Sequence, residues 1–498
     1  MSRINTNTSS QLAQRILNTN QTNLTKTMER LSTGLKINRG GDNPAGLIAS
    51  EKLRAEKINI ASAINNAQRA DQVVNIAEGG LQEINAMLLE VQSLVGQSAN
   101  EAGLSDDERQ ANQLQIDSIL QSIDRIASTT SFAGVKLLNG SYDFNVSSQN
   151  AKVADYEINA AKMEHGGSTS VSVVVTASAQ RGTLFVSAGG SSLNLSSADA
   201  RFVFEVAGSK GARQFTFASG TTLSSVATSI NTFKTVTGVS AVASGNYLKL
   251  KSTEFGSDEF VSFKVNEHGG QAGSVFTAST TNENAVKTSS AQALSALTNA
   301  VRDSGQDVGL TINGNTATAK GKNAGISSDV LDLKLSLTDA ASQTLGSFNA
   351  LTITGGGAKF NLGPTVDITN QVSIGIKNVA ARNLGSASVG FLSDLGSGKA
   401  NNMVDGNIEN AQKIVNKAID QVSSLRGRLG AFQKNVVGAT INSLGVALEN
   451  TTAAESAIRD TDFATETANL TRSQILVSAA TSVLQVANSS PQSVLQLL

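Results

Sequence analysis

The tetrapeptide Glu-His-Gly-Gly occurs twice, at 164–167 and 267–270, and it holds both histidines of the 498-residue chain. A His beside a Glu can ligate a metal, but the chain has no Cys and neither His165 nor His268 has a second His within ligand spacing. A polar turn leaving a strand is the better reading of both copies. The run Gly40-Gly41-Asp42-Asn43-Pro44-Ala45-Gly46 has the glycine density of a phosphate loop. It lacks the Gly-Lys-Ser/Thr ending and a preceding strand, and Pro44 is placed to open a helix. Asp106-Asp107-Glu108 would suit a cation, yet acids in a first helical turn suit the helix dipole. Asp460 and Asp462 have the spacing of a carboxylate pair but adjoin a helical seam, where capping or an ion pair is expected. With no Trp, 3 Tyr and 2 His, the chain offers no catalytic constellation. The expectation is a protein that is not an enzyme and carries no cofactor and no metal.

The elements that hold these residues are of two kinds. Lys+Arg is 39 and Asp+Glu is 40, so overall charge does not favour nucleic acid or an anionic membrane. No apolar run approaches the roughly 18 residues of a membrane span, and MSRINTNTSSQL lacks the apolar centre of a secretory signal. The length implies several domains. Both ends carry helix-period stripes, while the middle is rich in Gly, Ser, Thr and Val.

In the N-terminal arm, Leu12, Ile16, Leu24, Met28, Leu31 and Leu35 form a narrow seam that should stop near Gly34. From Ala45 a helical pattern runs to about Asn100 through Leu81, Ile84, Leu88, Val91 and Val95, with Gly79-Gly80 as a candidate bend. Ser105 and Glu108 predict a capping box opening a helix over 105–128. In the C-terminal arm, Ile408, Ala411, Val415, Ala418, Val422, Leu425, Leu429, Phe432 and Val436 step by three and four. Ile441, Leu444 and Leu448 continue that face after a phase change. A further helix over 454–487 carries Leu470, Val477, Val483, Leu484 and Val486, and Pro491 should mark its end.

The middle reads as strands. Phe202, Phe204 and Val206 alternate, as do Phe215 with Phe217 and Leu248 with Leu250, around a short helix at Leu223, Val226 and Ile230. Residues 200–265 are expected to form a small α+β module, with further strands at 170–195 and 305–390. Asn139-Gly140 and Asn313-Gly314 are hairpin-turn signals. The fold class is α+β multidomain: a long helical coiled-coil or bundle core from both termini, with β-rich inserted domains.

Residues 1–28 contain no Asp or Glu, and after Glu466 the only charge is Arg472. The few large apolar side chains of 2–36 cannot offset the cost of ordering that segment alone, so both ends should fold when partner chains surround them.

The runs LSTGLKINRGGDNPAGLIASEKLRAE (31–56) and SAIRDTDFATETANLTRSQILVSAATSVLQVANSSPQSVLQLL (456–498) resemble the terminal signatures of bacterial flagellins. The resemblance covers roughly 1–165 and 400–498, and 200–265 looks like the hook IN module inserted in many flagellins. It implies an inner-core helix at 1–44, an outer core from 45–165 and 401–453, variable outer domains at 166–400, and an inner-core helix at 454–498. It implies a subunit that polymerises with itself into the flagellar filament outside the cell and leaves unfolded through the flagellar type III apparatus. An export chaperone on the C-terminal segment and hook-associated and cap proteins are the implied partners. Neither nucleic acid nor membrane insertion is implied. Leu88–Asn100 resembles the stretch through which many flagellins contact an animal Toll-like receptor. Leu94, Gln97 and Ser98 match, whereas Glu90 stands where an Arg is usual and Gln115 where a Glu is usual. That exchange implies weakened receptor activation. A hook–filament junction protein and a coiled-coil surface adhesin are the rival readings. A zinc-protease insert would require His-Glu-x-x-His, which the middle lacks.

Overall fold

The computed structural model describes residues 6–100, 102–164, 167–197, 199–279, 282–297, 299–328 and 330–495. His165 therefore lies outside the described residues. In chain order the helices are α1 (Thr8–Thr33), α2 (Pro44–Ser98), α3 (Asp106–Thr129), α4 (Leu223–Thr232), α5 (Lys234–Thr237), α6 (Asp339–Gln343), α7 (Ile408–Ala431), α8 (Ala439–Arg459) and α9 (Phe463–Leu495). A π-helical stretch, Phe432–Gly438, joins α7 to α8. The chain divides into two compact units. One is built from the described parts of Met1–Gln72, Asn361–Asn370 and Gly430–Leu498, the other from Val73–Phe360 and Gln371–Leu429.

In the first unit, α1 runs antiparallel to α9. Asn20 Nδ2 donates to Leu476 O at 3.3 Å, Arg30 and Glu466 approach to 3.9 Å, and Lys36 N donates to Arg459 O at 2.7 Å. The Asn7 side chain caps α1 by accepting from Ser10 N, and Gly34 ends it in the left-handed region at φ 73°. The glycine-rich run at 40–46 is a helix–helix break. Asp42 accepts from the N–H groups of Asn38 and Arg39, and the Arg39 amide above all holds its carboxyl below the usual range. Asn43 Oδ1 accepts from Gly46 N as Pro44 opens α2. A Cβ on Gly46 would lie 2.7 Å from Ile37 Cδ1, so a larger residue here would have to displace the Ile37 side chain. The first unit continues past residue 44, because the opening of α2 pairs with α8. Lys57–Glu455 closes at 2.6 Å, Arg459–Glu51 at 2.9 Å, and Gln433 donates to Asp71 at 2.8 Å.

The C-terminal arm differs from the expected helix over 454–487. The chain breaks at 460–462, where Asp462 accepts from Ala464 N and Thr465 Oγ1 and starts α9. The helix then passes Pro491 and ends at Leu495. Proline has no N–H to offer the carbonyl four residues earlier, here Ala487. Asn7 Nδ2 donates to Ala487 O at 2.8 Å in its place. The expected phase change after Val436 has a local cause: the π-helical turn at 432–438 adds residues to the repeat and rotates the following face.

In the second unit, α2 runs antiparallel to α7. Arg426 and Glu78 pair at 2.7 Å, and Gln92 donates to Asn416 at 2.8 Å. The α3 capping box forms as expected from Ser105 and Glu108. Gly79-Gly80 does not interrupt α2; a Cβ on Gly80 would lie 2.8 Å from Leu138 Cδ1, so this glycine serves close packing.

Two β-sandwiches follow. One shares a core between the sheet ordered 315–316, 309–312, 169–177, 346–356, 144–147 and the sheet ordered 318–320, 323–327, 331–337, 153–161. The other packs the sheet ordered 282–286, 274–279, 183–187, 247–252, 239–244 and the sheet ordered 301–304, 260–267, 201–208, 211–218 around Phe204, Phe263 and the apolar face of α4. This module is larger than 200–265: strand 247–252 pairs with 183–187 and strand 260–267 with 301–304. Asn313 and Gly314, at φ 49° and 82°, make the expected hairpin turn. Asn139-Gly140 makes a turn that joins no paired strands, because 135–136 pairs with 131–132 and 144–147 with 346–356.

Candidate interaction surfaces

The residues weighed for catalytic or metal chemistry take part in local structure. His268 Nδ1 accepts from Gly270 N at 3.0 Å inside a turn, and Ser105 N and Oγ hold Glu108 below the usual carboxylate range. Asp106 pairs with Arg109, and Asp460 accepts from Ser456 Oγ at 2.6 Å. Among the described residues no cluster of His, Cys, Asp or Glu could hold a metal, and no helix is long and apolar enough to cross a membrane.

Ten apolar positions of α2, α7 and the π-helical stretch lie inside. Leu81, Ile84, Leu88, Val91, Val95, Val415, Val422, Leu425, Leu429 and Phe432 are all buried. The α1–α9 pair is built the opposite way. Its buried residues are Ala13 and Thr27 on α1 and Glu466 and Ala480 on α9. Small and polar side chains are the ones fully enclosed between the two helices, and several large apolar ones are turned outward. Leu12 and Ile16 are each 47 % exposed, Met28 48 % and Val483 59 %. Leu24, Leu31, Leu35, Leu470, Val477 and Leu484 are half-buried. Phe463, Ile475 and Leu476 are also exposed, and sequence periodicity did not single them out. Their signal was available: they stand next to seam positions, so the apolar surface of α9 wraps more of the helix than one stripe. Both faces of a single helix pair are thus apolar and uncovered, which in water favours association with further apolar surface.

The α2–α3 face is a second surface. Gln115 Nε2 donates to Glu90 Oε1 at 2.7 Å, and both residues are exposed. Leu89 and Leu114, their chain neighbours, are exposed too. Gln97 is exposed and donates to Ser93 Oγ. Leu94 and Ser98 of the receptor-like stretch are placed differently. Both are buried where α2 packs, and Ser98 Oγ accepts from Asn112 Nδ2 of α3 at 3.3 Å. Of the five, Glu90, Gln97 and Gln115 are exposed in the single chain.

Comparison with known proteins agrees with this layout. The sequence model for the bacterial flagellin N-terminal helical region matches residues 4–143, that for the C-terminal helical region 412–498, and that for the flagellin hook IN motif 201–254. Flagellin of Salmonella rubislaw is 30 % identical over 512 residues, spanning 99 % of each sequence. Flagellin B of Vibrio anguillarum is 29 % identical over 495 residues, again spanning 99 % of each. Among solved structures, flagellar hook associated protein-3 from Legionella pneumophila matches 82 % of this chain and 96 % of its own at 14 % identity, with a TM-score of 0.25.

Proposed function

Since this chain belongs to the bacterial flagellins and is a structural subunit of the flagellar filament, we propose that its α1–α9 pair is the polymerising element. The observation that carries the reading is the inversion of that pair: Ala13, Thr27, Glu466 and Ala480 inside, Leu12, Ile16, Met28 and Val483 outside. An assembly that surrounds the pair with copies of itself buries this surface on every side, as an open helical polymer requires. Leu24, Leu31, Leu35, Leu470, Val477 and Leu484, half-buried in one chain, complete their burial there.

The buried seam of α2 and α7 then acts within each subunit, and the β-sandwich region of 166–400 faces outward from the polymer. The chain acts without catalysis, outside the cell. It passes through the export apparatus with a chaperone on its C-terminal segment, and hook-associated and cap proteins bound its polymer. Its exposed Glu90 and Gln115 weaken recognition by an animal Toll-like receptor. A junction-protein role is disfavoured by the match at both signatures, and an adhesin would not need ends so poor in charge.

The test is truncation. Removing 1–36 or 465–498 should leave a folded, monomeric remainder that forms no filaments under salt-induced assembly. Normal filaments from either truncation, seen by negative-stain microscopy, would refute the assignment.

A further inference from the structure

Apart from the surfaces described above, one cluster of charged groups stands where the end of α7 meets the sandwich built on strand 153–161. The Arg428 side chain comes from α7 and is largely enclosed, 18 % exposed. It donates to Asn159 Oδ1 and lies 3.9 Å from Glu157 Oε1, both on strand 153–161. Asn159 is buried and passes the contact on, its Nδ2 donating to Asp332 Oδ1 on strand 331–337 at 2.8 Å. The chain that returns toward α7 is fixed at the same spot: Gly375 N donates to Asn159 O and Ile376 N to Tyr142 O, each at 2.9 Å. Asp143, next to Tyr142, is half-buried and within charge range of Lys377, Arg428 and Glu157. Lys377 Nζ lies 3.5 Å from Tyr156 O.

We propose that Arg428 fastens α7 to this sandwich, and that Asp143 makes the fastening tighten as pH falls on the acid side of neutrality. Asn159 takes one of the guanidinium N–H groups, and Nε is buried with no hydrogen-bond partner, so attraction to the nearby carboxylates must supply the rest of the hold. Three carboxylates, Asp143, Glu157 and Asp332, stand against two cations, Arg428 and Lys377. Tyr156 and the exposed Asp155 are the other titratable groups beside Asp143. With all three acids ionised, three against two leaves an excess negative charge in a partly desolvated place, which costs free energy. One proton on Asp143 brings the core of the cluster to two against two.

Asp143 is the acid placed to take that proton. Burial pushes its carboxyl above the usual range, against the pull of the Phe144 amide, Lys377 and Arg428. A carboxyl raised in the folded state binds its proton more tightly there than in the open chain. The stability it contributes is present below the ordinary carboxylate range and is lost as pH rises through the raised value. Protonation of Asp143 therefore favours the closed junction. The sign is opposite to that of the helix caps at Asp42, Glu108 and Asp462, whose carboxyls are lowered. Mild acid tightens this junction before stronger acid breaks those caps.

The test is amide exchange of the full-length monomer at about pH 7 and about pH 4.5, values that lie above and near the ordinary carboxylate range. Protection is read at Gly375 and Ile376 after correction for the intrinsic rate. In the wild type it should rise on acidification by up to about tenfold, the factor carried by one unit of pKa, while strand 169–177 stays unchanged. Asp143→Asn, neutral at both pH values, should show near pH 7 the protection that the wild type reaches in mild acid, and should not respond further. Arg428→Gln should lower protection at both pH values by roughly tenfold or more, the loss of a hydrogen bond to a charged group. No rise in the wild type overturns the pH response, and so does a rise in Asp143→Asn equal to that of the wild type. Unchanged protection in Arg428→Gln overturns the fastening. The pH comparison is made on the wild-type chain, so it does not depend on whether a variant folds.

Discussion

Gln115 on α3 donates a 2.7 Å hydrogen bond to Glu90 on α2, so the two positions that the resemblance marks as exchanged are in contact. Glu90 accepts and cannot donate, and Gln115 satisfies one of its oxygens. The double substitution Glu90→Arg with Gln115→Glu rebuilds the contact as an ion pair of opposite sense and supplies an exposed guanidinium. Reporter-cell signalling by the wild-type monomer should be weak, and the double mutant should gain on the order of 30-fold, the effect of a hot-spot Arg. Full potency in the wild type would show that Gln97 and its exposed neighbours suffice.

Leu429 is fully buried in the last turns of α7. Leu429→Ala should cost roughly 2–5 kcal/mol of unfolding free energy, the range for a buried leucine truncated to alanine. Denaturant unfolding of the monomer measures it. A cost near zero would mean that the site collapses onto the smaller side chain.

Asn7 acts at two helix ends at once, accepting from Ser10 N and donating to Ala487 O. Asn7→Ala should therefore cost about 1 kcal/mol for the lost cap and, in addition, leave a carbonyl of α9 without a donor. Pro491→Ala restores the intrahelical donor, so the two substitutions should be non-additive, with Asn7→Ala milder in the Pro491→Ala background. Amide exchange in assembled filaments, read at the start of α1 and over 483–489, distinguishes coupling from simple addition.

The Asp462 carboxyl is held below the usual range by the Thr465 hydroxyl first, then by the amides of Thr465 and Ala464. A carboxyl depressed in the folded state contributes stability above its unfolded pKa and loses it as pH falls through the folded one. Asp42 and Glu108 are depressed in the same sense by their own caps. Thermal stability should thus decline on acidification below about pH 4, where ordinary carboxylates titrate. Asp462→Asn keeps an acceptor that does not titrate and should flatten part of that decline in melting curves. An unchanged slope would mean that this cap is broken before the acid limb begins.

How much of this was legible follows the range of each interaction. The seam from Leu81 to Val95, the stop at Gly34 and the Ser105–Glu108 box are local, and each stands where the spacing put it. Pro491 misled because the group that replaces its N–H comes from Asn7, at the other end of the chain. The sandwich around Phe204 reaches beyond 200–265 because its flanking strands, 183–187 and 301–304, are short and are recruited by pairing across long intervals. Asn139-Gly140 shows the limit of a turn signal: the dipeptide bends the chain, but only the flanking strands decide whether a hairpin forms. The inversion of α1 and α9 was half legible. The apolar stripes were visible, and the small residues that bring the helices together were not distinguished from the rest.

The contact between Asn7 and Ala487 spans 480 positions. Residue 487 is translated 480 positions after residue 7, so α1 has no mate until α9 follows. A product cut short by an early stop codon or a protease can still close its sandwiches, whose pairings lie upstream. It cannot present the paired surface through which copies add to one another. Under the polymerising role proposed for the pair, only chains that carry both α1 and α9 join the growing array, and those that lack either exclude themselves.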